Sequence, residues 1–440
     1  MYKLINSPIA LVGMHCKKTI PAFLITLAIV VMMTSPMGKA AAGGLPAGLT
    51  GPAVLDDWGN RFTLLGTFVP ENALRTQVRT TIAQLAMFDA VNAVLDGPYR
   101  PFASKPTSPP GASAEAAAIA AAHIVALNEF PTQFVTINNA YNTSIAGIPG
   151  SPQAITDGIA VGEAAADEVL KTRVGDHRND PELVGYTPGN GPGVWIPTPG
   201  GTANPQTPFL QFVTPFGYDD PTRFRPHAPP ALDSRTYAVD YNEIKDLGRA
   251  TETSRTAEQS ATALFWSPSA SALWTANVRS LASSMDLLTA ARFEAIGIAA
   301  VTNALIACWD AKYTYMFWRP VTAIRAGDTD GNSETEPDPA WTPFIVTPSH
   351  PEYPAAHSTV GAAALGFYTV WFGTDQFLLA FKGNGGAVRY YTSVNEIHAE
   401  EGNARVWGGM HWRNSTKVGT AVGSKVGKYT ATHLLKPLDD

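Results

Sequence analysis

Lys312-Tyr313-Thr314-Tyr315-Met316-Phe317-Trp318-Arg319-Pro320, His350-Pro351-Glu352-Tyr353-Pro354-Ala355-Ala356-His357-Ser358 and Arg405-Val406-Trp407-Gly408-Gly409-Met410-His411 are the three stretches around which the chain is organised. They gather two arginines, a lysine and histidines in an otherwise apolar sequence. Permanent cations beside imidazoles fit a multiply charged tetrahedral oxyanion. The cations neutralise its oxygens, one imidazole bonds its central atom, and another moves protons. Lys312 and Arg319 are seven residues apart, which on one helix puts them on a shared face two turns apart. Pro320 restricts Arg319 and ends that helix. Pro354 suits the first turn of a helix through 355–372, whose free N–H groups at Ala355, Ala356 and His357 would face an anion. Arg405 and His411 are six apart, the wrong spacing for one helix face, and Gly408-Gly409 offers the break that brings them together.

Outward from these stretches the pattern is helical. Apolar residues Leu74, Val78, Ile82, Leu85 and Phe88 recur at helical spacing within an expected helix 71–95. Further helices are expected at 54–65, 113–128, 131–143, 152–171, 237–247, 256–266, 269–287, 289–318, 375–381, 387–400 and 411–435. Ser113 and Ser151 stand as N-caps. No βαβ rhythm or glycine-rich nucleotide fingerprint appears. The expected fold is therefore all-α: a helical bundle with long Pro/Gly-rich loops at 174–232 and 320–353. The first loop carries Trp195, Phe209, Phe212, Phe216 and Phe224, so it reads either as a lid over the site or as a wrap anchored by aromatics. Asp89 reads as a polar core contact or a cap to a neighbouring helix, Asp310 as an ion-pair partner of Lys312 or an arginine, and Glu400-Glu401 as solvated charges. Asp328-Thr329-Asp330-Gly331-Asn332 reads as a turn, because an EF-hand's full spacing and closing Glu are absent.

The chain has 440 residues, 45% hydrophobic and 15% charged, which is ample for a large core, and its net charge of −6 without basic runs gives nucleic-acid binding no support. Lys17-Lys18, the apolar run 20–33 and Ala40-Ala41-Ala42 read as an export leader over residues 1–42, giving a secreted or periplasmic location. A retained anchor is the alternative. The run is short for a span of about 20 residues, and no later stretch looks long and apolar enough to cross a membrane. Of two cysteines, Cys16 lies in the leader, leaving Cys308 as a buried core thiol in a mature chain 43–440.

In this order, Lys-x6-Arg-Pro, Pro-x2-His and Arg-x5-His resemble the three-part signature of the acid phosphatase/vanadium haloperoxidase superfamily, which includes the type 2 phosphatidic acid phosphatases. The text from Trp309 to Arg405 is most similar to the bacterial vanadium haloperoxidase branch. The likeness spans roughly residues 55–435 and is specific over a motif core at 300–420. It implies vanadate as cofactor, bonded by His411, with Lys312, Arg319, Arg405 and the Ala356 amide holding the oxyanion. His357 is then the acid–base group, and Lys312 polarises peroxide. Two positions depart from the pattern. Ala355-Ala356 stand where the family usually has Ser-Gly, and Ser415 stands where it often has an Asp that orients the last histidine. Ser349 and Ser358 are the candidates to replace the missing hydroxyl. His350, seven residues before His357, matches a second histidine of the algal bromoperoxidases and leans the reading towards bromide or iodide.

The expected function is vanadate-dependent oxidation of halide by hydrogen peroxide, with a small organic acceptor as further partner and a homo-oligomer left open. A soluble exported acid phosphatase acting through a phosphohistidine at His411 is the alternative; Ser415 counts against it. A non-catalytic oxyanion-binding protein is the third reading, motivated by Ala355 and Ala356.

Overall fold

The computed structural model describes residues 50–69 and 72–438, so the leader read at 1–42 lies outside the described residues. Its centre is the helix labelled α9, Leu287–Tyr315. Asp286 caps it by accepting from Thr289 N at 3.0 Å. Its side chains are apolar almost all round, as expected of a helix surrounded by others. This corrects the expectation that no later stretch is long and apolar enough to cross a membrane: α9 is, but 94% of the qualifying window is buried inside the body.

One group of helices precedes it: α1 (Ala53–Thr67), α2 (Ala73–Val94), α3 (Ala114–Glu129), α4 (Phe134–Ala146) and α5 (Pro152–Thr172). Ser113 and Ser151 cap α3 and α5 by accepting from Ala116 N and Ala154 N. The expected helix 131–143 begins as a 3-10 turn at Pro131–Gln133. Asp89 on α2 accepts from the amides of Phe102, Ala103 and Ser104 and so anchors the loop after α2 in the core. Next come α6 (Arg235–Leu247), α7 (Ala257–Phe265) and α8 (Ala270–Ala282), the last ending five residues earlier than expected.

After α9 follow α10 (Pro320–Arg325), α11 (Ala356–Phe372), α12 (Val394–Trp407) and α13 (Arg413–His433). Helices α11 and α13 pack at backbone contact. A Cβ on Gly423 or Gly427 would lie 1.9 Å from Thr359 O or 2.0 Å from Ala363 O, so only glycine permits this approach. The stretches expected as helices at 375–381 and 387–393 are instead an antiparallel hairpin, β1 (Gln376–Lys382) and β2 (Val388–Ser393). Leu379 and Phe381, two apart, point into the core, which is strand periodicity. The glycines between the runs supply positive φ for the turn (67° at Gly385, 81° at Gly386).

Candidate functional site

The three clusters meet where α9 ends, α11 begins and α12 hands over to α13. Lys312 and Arg319 do not share a helix face. Helix α9 stops at Tyr315, Met316 turns left-handed (φ 49°), and Arg319 is the extended N-cap of α10. Pro320 starts a helix instead of ending one, which suits its missing N–H. Pro354 likewise lies before the N-cap, Ala355, not inside the first turn of α11. The amide of Ala355 is spent on Ser415 O at 3.1 Å, leaving those of Ala356 and His357 as first-turn donors. Between Arg405 and His411, Gly408 closes α12 and Gly409 (φ 78°) reverses the chain.

All three cations are buried: Lys312 and Arg319 are 0% exposed and Arg405 1%. Among the described residues none of them pairs with a carboxylate. By contrast, buried Arg178 is held by Glu129 and Asp176. Lys312 Nζ donates to Pro351 O and Glu352 O at 2.7 and 2.8 Å, and an ammonium has a third hydrogen. Arg319 donates to His350 O, to Met410 O and to His411 Nε2, the last at 3.1 Å. Arg405 donates from Nη1 to Trp266 O (3.1 Å) and from Nη2 to Met410 Sδ (3.0 Å), while its buried Nε has no partner. An unpartnered guanidinium N–H buried beside two further cations is a donor suited to an anion.

The imidazoles are fixed as neutral bases. His411 Nδ1 lies 2.8 Å from Glu352 Oε1, and its Nε2 faces Arg319. A guanidinium cannot accept, so Nε2 carries the lone pair and Nδ1 the proton. Nε2 is therefore the nitrogen able to bond a central atom. His357 Nε2 donates to Pro268 O at 2.8 Å, which leaves Nδ1 as its base. His350 Nδ1 is 3.0 Å from Arg319 Nη2, and its ring lies 4.9 Å from that of Trp309. Burial, then the surrounding cations, holds all three well below the usual histidine range. Burial also pulls the Lys312 ammonium down to about 7.

Glu352 escaped the sequence reading, although it lies inside the second cluster. It is 0% exposed and accepts from His411 Nδ1, from Trp412 N (3.0 Å) and from Ser415 Oγ (2.7 Å). It thus supplies the carboxylate that Ser415 lacks. Its signal was an acid two residues after His350 in an apolar context. Glu401 was read as solvated but is 1% exposed, accepting from Trp274 Nε1, and Glu400 binds the Tyr391 hydroxyl and Arg389. Asp310 pairs with Arg225, not with Lys312. Of the two candidate hydroxyls, Ser349 accepts from Thr202 N, whereas buried Ser358 Oγ has no partner. The loop 174–232 is a packed wrap that also walls the site. Trp195 N donates to Met316 O, Gln206 N to Ser349 O, and Trp309 and Tyr313 both donate to Gln206 O.

A family model, the VCPO second helical-bundle domain, matches residues 292–440. No curated protein sequence matches the chain. Among solved structures, that of the first bacterial vanadium-dependent iodoperoxidase superposes with TM-score 0.73 at 23% identity, covering 89% of this chain and 98% of its own. A holo-type bacterial vanadium-dependent chloroperoxidase superposes with TM-score 0.63 at 18% identity, covering 90% and 95%. The fold is thus shared along most of the chain, and the match to the family model falls on its last third, residues 292–440, which holds Lys312, Arg319, His350, Glu352, His357, Arg405 and His411.

Proposed function

We propose that this chain, which has the fold of the bacterial vanadium haloperoxidases and carries their second helical-bundle domain over residues 292–440, is itself a vanadate-dependent haloperoxidase. One observation carries the reading. Three buried cations without carboxylate partners converge on His411, whose outward nitrogen is held unprotonated. The donor set fits vanadate: the third hydrogen of Lys312, the free Nε of Arg405, the guanidinium of Arg319 and the amides of Ala356 and His357 would hold its oxygens, and His411 Nε2 would bond vanadium. Bound there, vanadate acts as a Lewis acid towards hydrogen peroxide without changing its own oxidation state.

The chain's own residues do the rest. Glu352 fixes the His411 tautomer and makes that imidazole a better donor. His357 Nδ1 takes a proton from incoming peroxide and returns it to the departing oxygen. Lys312 supplies positive charge where the peroxide oxygen becomes electrophilic. His350 stands between Arg319 and Trp309 and supports a preference for bromide or iodide. A small organic molecule is the final acceptor, and the leader at 1–42 supports action outside the cytoplasm.

The test uses the purified protein with and without orthovanadate. Peroxide-dependent bromination of a dye is followed, with iodide and chloride in parallel. Vanadate-dependent halogenation is the expected result, and its absence for every halide overturns the proposal. The Glu352–His411 contact also favours a second reading, because an oriented, basic imidazole can attack phosphorus. Phosphate release from an aryl phosphate, inhibited by vanadate and without halogenation, would select that phosphatase. Vanadate binding with neither activity would select the oxyanion-binding protein.

A further inference from the structure

Met410 is built into the oxyanion site through every polar atom it has. Its Sδ accepts from Arg405 Nη2 at 3.0 Å, its carbonyl accepts from Arg319 Nη1 at 2.9 Å, and its amide donates to Arg405 O at 3.1 Å. A thioether is a weak acceptor. It holds the guanidinium in place while leaving Nη2–H nearly its full donor strength for an anion. The residue is 1% exposed, with its Cε against Gly408, so it offers oxidant dissolved in bulk water far less surface than an accessible methionine does.

We propose that Met410 is an oxidative modification site, converted to the sulfoxide by oxidant made inside this pocket, and that the product disarms Arg405. The inference rests on the haloperoxidase reading. In the step a lone pair on Sδ attacks the oxygen of hypohalous acid, the oxygen–halogen bond breaks, halide leaves, and the hydroxyl proton is released. Sulfur loses two electrons and the halogen gains them. With hydrogen peroxide as oxidant the same attack releases water. The new sulfoxide oxygen is a strong, polar acceptor beside Arg405 Nη2. It captures the guanidinium hydrogens that the oxyanion needs, and through the Met410 main chain it also displaces the partner of Arg319. Turnover would therefore carry its own limit, set by one sulfur atom.

Burial supplies the internal control. Met285 and Met316 are both more accessible than Met410. Oxidant added to the bulk reaches them first, whereas oxidant born at the site reaches Met410 first. The experiment takes the wild-type full chain with vanadate, peroxide and bromide, samples activity over time, and digests each sample with trypsin. Cleavage after Arg405 and Arg413 isolates residues 406–413, and fragment ions place a gain of about 16 Da on Met410 or on the neighbouring tryptophans. The expected result is that the oxidised fraction of Met410 tracks the lost fraction of activity, ahead of Met285, and that vanadate binding to the inactivated protein weakens about tenfold or more. Met410→Leu, normalised to its own initial rate, should lose activity several-fold more slowly. Activity lost with Met410 unmodified, Met285 oxidised first under turnover, or a Met410→Leu decay equal to wild type would each overturn the inference. Should the variant not fold, the wild-type peptide decides alone. Absence of vanadate-dependent turnover would instead refute the haloperoxidase reading on which this rests.

Discussion

Replacing Arg405 by methionine separates a cation kept for a ligand from a cation kept for the fold. Arg405 is buried, has no carboxylate partner, and spends only Nη1 and Nη2 on Trp266 O and Met410 Sδ. Removing it leaves Trp266 O without that donor, a cost of about 1–3 kcal/mol. Against this, exchanging a buried charge for an apolar side chain of similar volume is worth about 1–4 kcal/mol, while the lost attraction of buried Glu401 outweighs the relieved repulsion from Arg319. The two terms nearly cancel. A chain of this length has an unfolding entropy that makes 1 kcal/mol roughly 1 °C in Tm, so the variant without oxyanion should melt within about 2 °C of wild type. A structural arginine behaves otherwise. Loss of Arg178 takes one of two arginines from each of the buried carboxylates Glu129 and Asp176, which keep Arg79 and Arg173, a loss of up to about 3 kcal/mol or a few degrees. The oxyanion response is the other half of the measurement. Losing charge-assisted bonds worth about 3 kcal/mol or more weakens vanadate roughly 100-fold. Calorimetric melts with and without orthovanadate read both quantities on one sample. A ligand-free melt several degrees low, or an undiminished vanadate-induced rise, would refute the assignment.

Other outcomes follow from the same geometry. His411→Ala should abolish halogenation and weaken vanadate binding by titration calorimetry; unchanged activity removes His411 as the ligand. The Lys312 ammonium is pulled by burial from 10.5 to about 7. Burial also raises Glu352 to about 7, so oxyanion affinity should fall as pH rises through 7 on both accounts, a step that Lys312→Met flattens. Without ligand the folded protein binds fewer protons at this group than the unfolded chain between pH 7 and 10.5, so its contribution to stability grows across that window; a wild-type melt series no steeper in pH than that of Lys312→Met would mean that Lys312 keeps its ordinary pKa. Glu352→Gln retains acceptor geometry for Nδ1–H but loses the charge, and should lower halogenation about 10–100-fold, with a shifted Nδ1–H resonance by NMR marking the tautomer's weaker hold. His350→Phe should change the bromide-to-iodide ratio of kcat/KM while vanadate is still bound; an unchanged ratio detaches His350 from halide choice.

What was legible in the chain was what repeats or what carries charge in fixed order. The caps Ser113 and Ser151 and the apolar spacing of α2 each report a local physical need and stand where expected, whereas the three clusters come together on helix ends other than those their spacing suggests. Lys312 and Arg319 show where local reading fails. Seven residues read as two helical turns unless the helix stops between them, and nothing in the side chain of Met316 announces a left-handed backbone. The hairpin 376–393 was misread because its strands are short and one face alternates only over Leu379 and Phe381. Glu400-Glu401 look like a solvated pair until the tryptophans of the α7–α8 region, far away in sequence, fold over them. Burial of a charge is decided by partners that a window of sequence does not contain.

The two departures from the family pattern meet at one residue. Ser415, which cannot orient His411 directly, donates its hydroxyl to Glu352 and accepts the Ala355 amide on its carbonyl. It therefore ties the start of α11 to the carboxylate that holds His411, and does so across the glycine-packed α11–α13 contact. The orienting acid has moved from the third cluster to the second, where the Lys312 ammonium also grips its backbone carbonyl. A carboxylate placed there answers to all three clusters at once. Lys312 holds its main chain, His411 and Trp412 its first oxygen, and Ser415 its second. The serine–glycine pair before His357 is not compensated in this way. Ser358 Oγ is unspent, but it is carried on α11 one residue past His357, so what remains for the oxyanion at that end is the helix amides at 356 and 357. Restoring Ala355→Ser should accordingly tighten vanadate by about one hydrogen bond to a charged group, roughly tenfold or more, with little change in Tm. No change in affinity would mean that the side chain at 355, buried at the N-cap of α11, does not reach the oxyanion.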